Sequence, residues 1–340
     1  MRLHSILIAT LLLASARDGA AYKLIEYTNA NGQLRHLFWG PENLPVPWFF
    51  YNVPPDDFSV DVAISRTQVA FDTWEAVETA SITFQFSGQT NAEPFVFFDS
   101  VNTLGFITDE SLQGTGVLAA TDFIVFTSTG EIAESDIFLN ADVPWSASAS
   151  GEPGRFDFQA TALHEIGHFL GLHHSALAFA ETRGGRHLVQ EGSAVMFPIA
   201  FPPGMTTGRT LTLDDITGVS LLYPVGDFVG SHASLSGQVT KDGEGLRAAH
   251  VTVFNPFTEE LIGAFTDGGG HYRVDGLSSG PIVVRVHPIS DATSPEDYGF
   301  DEFSVDLDWR VTFHEGRAEV TSGSNTSGVD VEVMPCAAAA

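Results

Sequence analysis

The residues best suited to chemistry lie in one run, HEIGHFLGLHHS (164–175), which holds four histidines and a glutamate. On an α-helix, positions i and i+4 share a face, so His164 and His168 point the same way, with Cβ atoms about 6 Å apart. That separation suits two nitrogen donors on one metal ion. Glu165 is rotated around the helix from His164 and can work beside the metal without entering its ligand set. Two imidazoles for the metal and a carboxylate for a water form the zinc-hydrolase arrangement. A catalytic zinc takes three protein ligands and keeps one position open. His174 lies six residues past His168. A continuing helix would carry it about 9 Å further along and onto another face. Gly171 stands between them, and glycine allows a helix to end in a left-handed turn. The chain therefore offers two ligands, a breaker and a third ligand, in the pattern His-Glu-x-x-His-x-x-Gly-x-x-His. The expectation is one catalytic Zn²⁺ on His164, His168 and His174, with Glu165 as general base. His173 is one residue off this spacing. It reads as a solvated spare imidazole, the other readings being support behind the ligands or a proton shuttle.

Several elements must position these residues. Residues 157–170 read as the helix carrying the first two ligands, with Asp157 as N-cap and Phe158, Ala162, Ile166 and Leu170 on one face. Over 59–78, Val60, Ile64, Thr67, Phe71, Trp74 and Val77 recur at helical steps. LDDITGVSLLY (213–223) reads as a third helix, where Asp214 and Asp215 suit the positive end of the helix dipole. Between about 81 and 145, ITFQF, PFVFF, LAATDFIVF and DIFLN read as short strands separated by turn residues. Three helices with several strands make an α+β domain, ending near 227.

These stretches together resemble the matrixins, within the metzincin metalloproteases. ATALHEIGHFLGLHHS resembles their zinc helix, with Ser175 directly after the third histidine. SAVMFP resembles their Met-turn, which implies Met196 beneath the zinc. Gly116-Val117-Leu118-Ala119-Ala120 resembles the edge strand that pairs with substrate, and Leu118 and Ala119 are its implied substrate-binding residues. VDVAISRTQVAFDTWEAV, SDIFLNADVPWS and LTLDDITGVSLLY resemble the first helix, the approach to the zinc helix and the last helix. The likeness covers about residues 47–225. It implies a twisted sheet with three helices and cleavage of protein or peptide substrates. It also implies calcium sites, for which Asp136 and Asp142 are candidates. Two departures stand out: Ala120 occupies the place of a structural-zinc histidine, so a single zinc is expected. No cysteine precedes the domain, so cysteine-based latency lacks its residue.

The rest of the chain sets the context. The start, MRLHSILIATLLLASARDGAAY, reads as a secretory signal over 1–21, with a short apolar core and small residues near its end. Residues 22–46 form a short N-terminal segment, 47–227 the zinc domain and 231–336 a second unit. SGQVTKDGEGLRAAHVTVFN and AFTDGGGHYRVDGLSSGPIVVRVHP alternate as half-buried strands between Gly-rich turns. They resemble the carboxypeptidase regulatory-like domain, a transthyretin-like β-sandwich. Its role stays open between attachment to a surface or carbohydrate and stabilisation of its neighbour. Net charge is −28, from 43 acidic against 15 basic residues, which argues against nucleic acid or anionic lipid as partner. No later run is long and apolar enough for a membrane span. The sole cysteine, Cys336, excludes an intramolecular disulfide, and the expectation is a secreted, extracellular protein of bacterial type. Two other functions remain open: a non-catalytic zinc-containing adhesion or carbohydrate-binding protein, and a zinc hydrolase acting on something other than peptide.

Overall fold

The computed structural model describes residues 6–9, 22–108, 116–183, 186–190 and 192–336. The signal reading of 1–21 and the final alanine run lie outside these, apart from the backbone of Ile6–Ala9. The first unit is built on a six-stranded sheet. Its strands are β1 (Ile6–Ala9), β2 (Val46–Tyr51), β3 (Phe84–Thr90), β4 (Thr103–Ile107), β5 (Ala119–Phe126) and β6 (Ile132–Asn140). Their spatial order is β1-β5-β6-β4-β2-β3. The run β6-β4-β2-β3 is parallel, while β5 lies antiparallel to β6 and β1 antiparallel to β5. β1 covers only Phe123–Phe126, so the outer edge of β5 from Ala119 to Asp122 pairs with no strand among the described residues.

Helices α1 (Val60–Glu75) and α2 (Phe158–Phe169) pack against each other. Ser59 caps α1 by accepting from the Val62 amide. Thr67, Phe71, Trp74 and Val77 are buried as the periodicity requires; Val60 and Ile64 are half-buried, and Ala63 and Ala70 complete the face. Trp74 also donates Nε1–H to the Leu163 carbonyl of α2 at 2.9 Å, which fixes the two helices in register. Trp48 of β2 stacks on Phe71 with ring centroids 4.8 Å apart, joining sheet to helix. Tyr22, Leu24, Leu37 and Trp39, from the segment read as turns and extended chain, are buried in this same core.

PFVFF is not a strand. Phe95, Phe98 and Ser100 all have positive φ, and the loop turns its amides onto two buried carboxylates of β6. Asp136 accepts from Phe95 and Thr103, both at 2.7 Å, and Glu134 accepts from Phe98 and Ser100. A buried carboxylate needs donors, and backbone N–H groups recruited this way are lost to a sheet ladder. Both Asp136 oxygens are therefore engaged, one by the loop and one by the start of β4, which speaks against the expected calcium ligand there. Asp142 joins no convergent group of three or more His, Cys, Asp or Glu side chains among the described residues.

Helix α3 (Leu213–Leu222) starts at a capping box of Thr212 and Asp215 and leads into the second unit. There β7 (Ala233–Lys241) and β10 (His271–Leu277) form one five-stranded sheet with three short segments. β8 (His250–Phe254), β9 (Leu261–Phe265) and β11 (Gly280–His287) form a second five-stranded sheet with two more. Both sheets contribute to one apolar core, including Leu235, Val251, Val274 and Val286, separate from that of the first unit. A small third cluster of Phe265, Ile289, Tyr298 and Phe300 packs against Ala176 and joins the two units.

Candidate metal centre

Helix α2 is defined at both ends. Asp157 accepts from the Ala160 amide at 2.7 Å and is clamped by Arg209, whose Nε and Nη2 both reach it. At the other end, the Gly171 amide bonds the His168 carbonyl and the Leu172 amide bonds that of Gly167. This is a Schellman stop. The last carbonyls gain side-chain donors, Trp39 Nε1 on Phe169 at 2.8 Å and Tyr223 Oη on Leu170 at 2.6 Å. Gly171 has φ +102°, and a Cβ on it would lie 2.2 Å from the Leu37 carbonyl oxygen. Past this turn the chain runs antiparallel to Lys23–Ile25, with bonds from Ile25 N to Gly171 O and from His173 N to Lys23 O.

The reversal brings His174 back to His164 and His168. Their ring centroids lie 4.7–5.3 Å apart, and one nitrogen from each falls within 4.8 Å of the others. Each ring is oriented by a backbone carbonyl on its Nδ1. His164 meets Val195 at 2.7 Å, His168 meets Leu172 at 2.8 Å, and His174 meets Asp297 at 2.6 Å. A carbonyl can only accept, so Nδ1 carries the proton in all three rings and the Nε2 lone pairs are left to converge. His168 and His174 Nε2 lie 3.1 Å apart with no proton between them. That convergence suits a cation that takes both lone pairs. Burial, with the neighbouring His174 as a further cause, pushes His164 down to about 3. His174 falls to about 4, and burial holds His168 well below the usual histidine value. Neutral imidazoles held as the Nδ1–H tautomer are the ligand form for a divalent metal such as zinc, so the donor set fits.

Glu165 is buried on the sheet side of α2, and burial pushes its carboxyl up to about 7. Thr121 of β5 opposes that shift, donating Oγ1–H to Glu165 Oε2 at 2.7 Å. Thr121 escaped the sequence analysis. The available signal was its alternation with Phe123 and Val125 on the inward face of β5. Leu118 and Ala119 lie just before it, at an edge that pairs with no strand among the described residues, with Leu118 accepting from the Asn140 amide on the inner side. His173 is not a solvated imidazole. It is buried, accepts from the His174 amide on Nδ1 at 2.7 Å, and lies against Gly299 of the second unit.

Met196 is fully buried below the helix. Its sulfur lies where a Cβ on Gly167 would be only 2.2 Å away, so glycine at 167 lets the Met196 side chain reach the helix backbone. Asp215 holds this turn by accepting from the Val195 and Met196 amides at 3.0 and 3.1 Å, besides Thr212. Asp214 accepts from Ser175 Oγ at 2.5 Å and from the Gly263 amide of β9 at 2.8 Å. The acidic pair is thus a clamp, beyond its place at the helix start. Asp215→Ala would leave buried amides of the Met196 turn without acceptors, at a cost of about 3 kcal/mol. A melting experiment should show that loss, and an unchanged midpoint would contradict the clamp.

Three neutral imidazoles beside a buried carboxylate, on a mixed α/β scaffold, fit a metal centre of the metallohydrolase type. The Matrixin family profile (Peptidase_M10) matches residues 39–224, more than half of the chain, and the chain belongs to that family. It is also similar to Metalloendoproteinase 1 of Glycine max, at 29% identity over 199 residues, which are 55% of this chain and 53% of that protein. The chain therefore spans about half the length of this curated relative.

Proposed function

We propose that the protein is a secreted zinc-dependent endopeptidase. The observation that carries this reading is the convergence of three Nδ1–H imidazoles beside Glu165. His164, His168 and His174 would hold the metal. When bound, zinc supplies Lewis acidity toward water and the scissile carbonyl. With Thr121 on Oε2, Glu165 is left with Oε1 to receive the proton of the attacking water and later deliver it to the departing amine. The edge of β5 that begins at Ala119, just after Leu118, pairs with no strand among the described residues and would offer main-chain donors and acceptors to an extended peptide bound as an added strand.

The second unit reads as a carboxypeptidase regulatory-like sandwich whose role is to stabilise its neighbour, and the contacts of Asp214 and Ala176 with it favour that role. A calcium requirement has no support from Asp136, whose two oxygens serve the amides of Phe95 and Thr103. A non-catalytic zinc-containing binding protein is disfavoured by the Thr121–Glu165 bond, since a binder has no use for an oriented buried base. The test is zinc content of the purified protein together with cleavage of a quenched peptide library, with and without a chelator. One zinc per chain and chelator-sensitive cleavage are expected. One zinc without cleavage of any peptide would overturn the reading in favour of a binding protein.

A further inference from the structure

Two of the three ligand rings take their orienting carbonyl from the first unit. The third does not. His174 Nδ1 reaches the Asp297 carbonyl, 123 residues further on and within the second unit, at 2.6 Å. We propose that the turn Pro295–Tyr298 is a positioning element of the metal centre, fixing the tautomer and direction of the third ligand, so that metal affinity depends on the second unit being docked. This rests on the zinc reading above.

The turn is built to hold that carbonyl. Ser294 and Asp297 form a capping box, in which the Ser294 amide and hydroxyl both donate to Asp297 Oδ2, at 2.8 and 3.2 Å. Tyr298 is fully buried and donates to Thr293 Oγ1 at 3.1 Å. Its ring packs on Phe265 of β9, with centroids 5.1 Å apart. Gly299 follows at φ +70°, so close to His173 that a Cβ would sit 3.1 Å from its Nε2. His173 in turn accepts the His174 amide on its other nitrogen. The turn therefore touches the third ligand from two directions, through its own ring and through its neighbour. A second bond, Gly263 N to Asp214, ties β9 to the same loop by way of Ser175. Loss of such an outer partner of a metal-bound histidine typically weakens metal binding about 10–100-fold.

The experiment uses the full chain with zinc as probe. Asp297→Ala removes the acceptor of the capping box, and Tyr298→Ala removes the packing behind it. Tyr298→Phe keeps the ring and serves as the conservative rescue. His174→Ala reports on the zinc reading itself. Zinc affinity is measured by chelator competition, and the His174 tautomer by ¹⁵N NMR of the metal-free protein. We expect both alanine variants of the turn to bind zinc about 10–100-fold more weakly, with Tyr298→Phe close to the parent. The parent His174 should show protonated Nδ1, and the alanine variants a mixture of tautomers. Unchanged affinity and an unchanged His174 tautomer in Asp297→Ala, the milder variant, would overturn the proposal even if Tyr298→Ala does not fold. If His174→Ala binds zinc as tightly as the parent, the zinc assignment itself fails and the proposal with it. That failure is distinct, because it appears without any change to the turn.

Discussion

Replacing Glu165 by glutamine is expected to leave zinc in place and to lower peptide turnover by about 10²–10⁴-fold. Glutamine keeps the length and shape of the side chain, and Thr121 can still donate to its amide oxygen. What disappears is the ability to hold a proton between two steps. The parent carboxyl is suited to that task because two influences oppose each other: burial raises it, the Thr121 hydroxyl pulls it down, and the balance lies at about 7. A base near neutrality can take a proton from water and return it at working pH. The fold should be unaffected, since Glu165 contributes no other side-chain bond to the core than the one to Thr121 among the described residues. The measurement is zinc stoichiometry alongside steady-state cleavage of the same peptide by parent and variant. A variant that keeps its metal and cleaves at the parent rate would remove Glu165 from the chemistry.

Gly171→Ala is expected to destabilise the protein by about 3 kcal/mol or more and to weaken zinc binding at the same time. Two costs add at this position. The φ of +102° is one that side-chain-bearing residues rarely adopt, and the new methyl would meet the Leu37 carbonyl oxygen at 2.2 Å. The obstacle is backbone, so no rotamer change relieves it. The turn also carries the Leu172 carbonyl that orients His168, and it delivers His174 to the site. Relief of the clash must move one or both. Thermal melting and chelator competition on one preparation check this. A variant with parent midpoint and parent affinity would show that the reversal tolerates another path.

The zinc helix was legible in the sequence because its information is local. Two ligands, the base, the breaker and the third ligand fall within one short run, and helical geometry converts their spacing into direction. Asp157 was legible for the same reason, since capping is decided within one turn; the cap at Thr212, one residue before the stretch read as a helix, was not read. Met196 and the edge strand became legible only through family likeness, as nothing in their own neighbourhood marks them. Thr121 was not legible: it acts on Glu165 from a strand 44 residues away, and a threonine on an inward face ordinarily reads as packing. PFVFF misled because its aromatics have strand character, while its conformation is set by Glu134 and Asp136 on another strand. The Asp297 carbonyl is the extreme case. Every residue but the chain end has such a group, so no side chain marks the one that matters.

That carbonyl also bears on how the protein is made. When His174 is joined to the growing chain, its ring partner is still 123 residues from being translated. At about 5–20 residues per second the interval is on the order of ten seconds, and the second unit must then fold. The first core can close in that time, but its metal centre remains one contact short. Translation itself therefore separates a folded chain from a finished active centre.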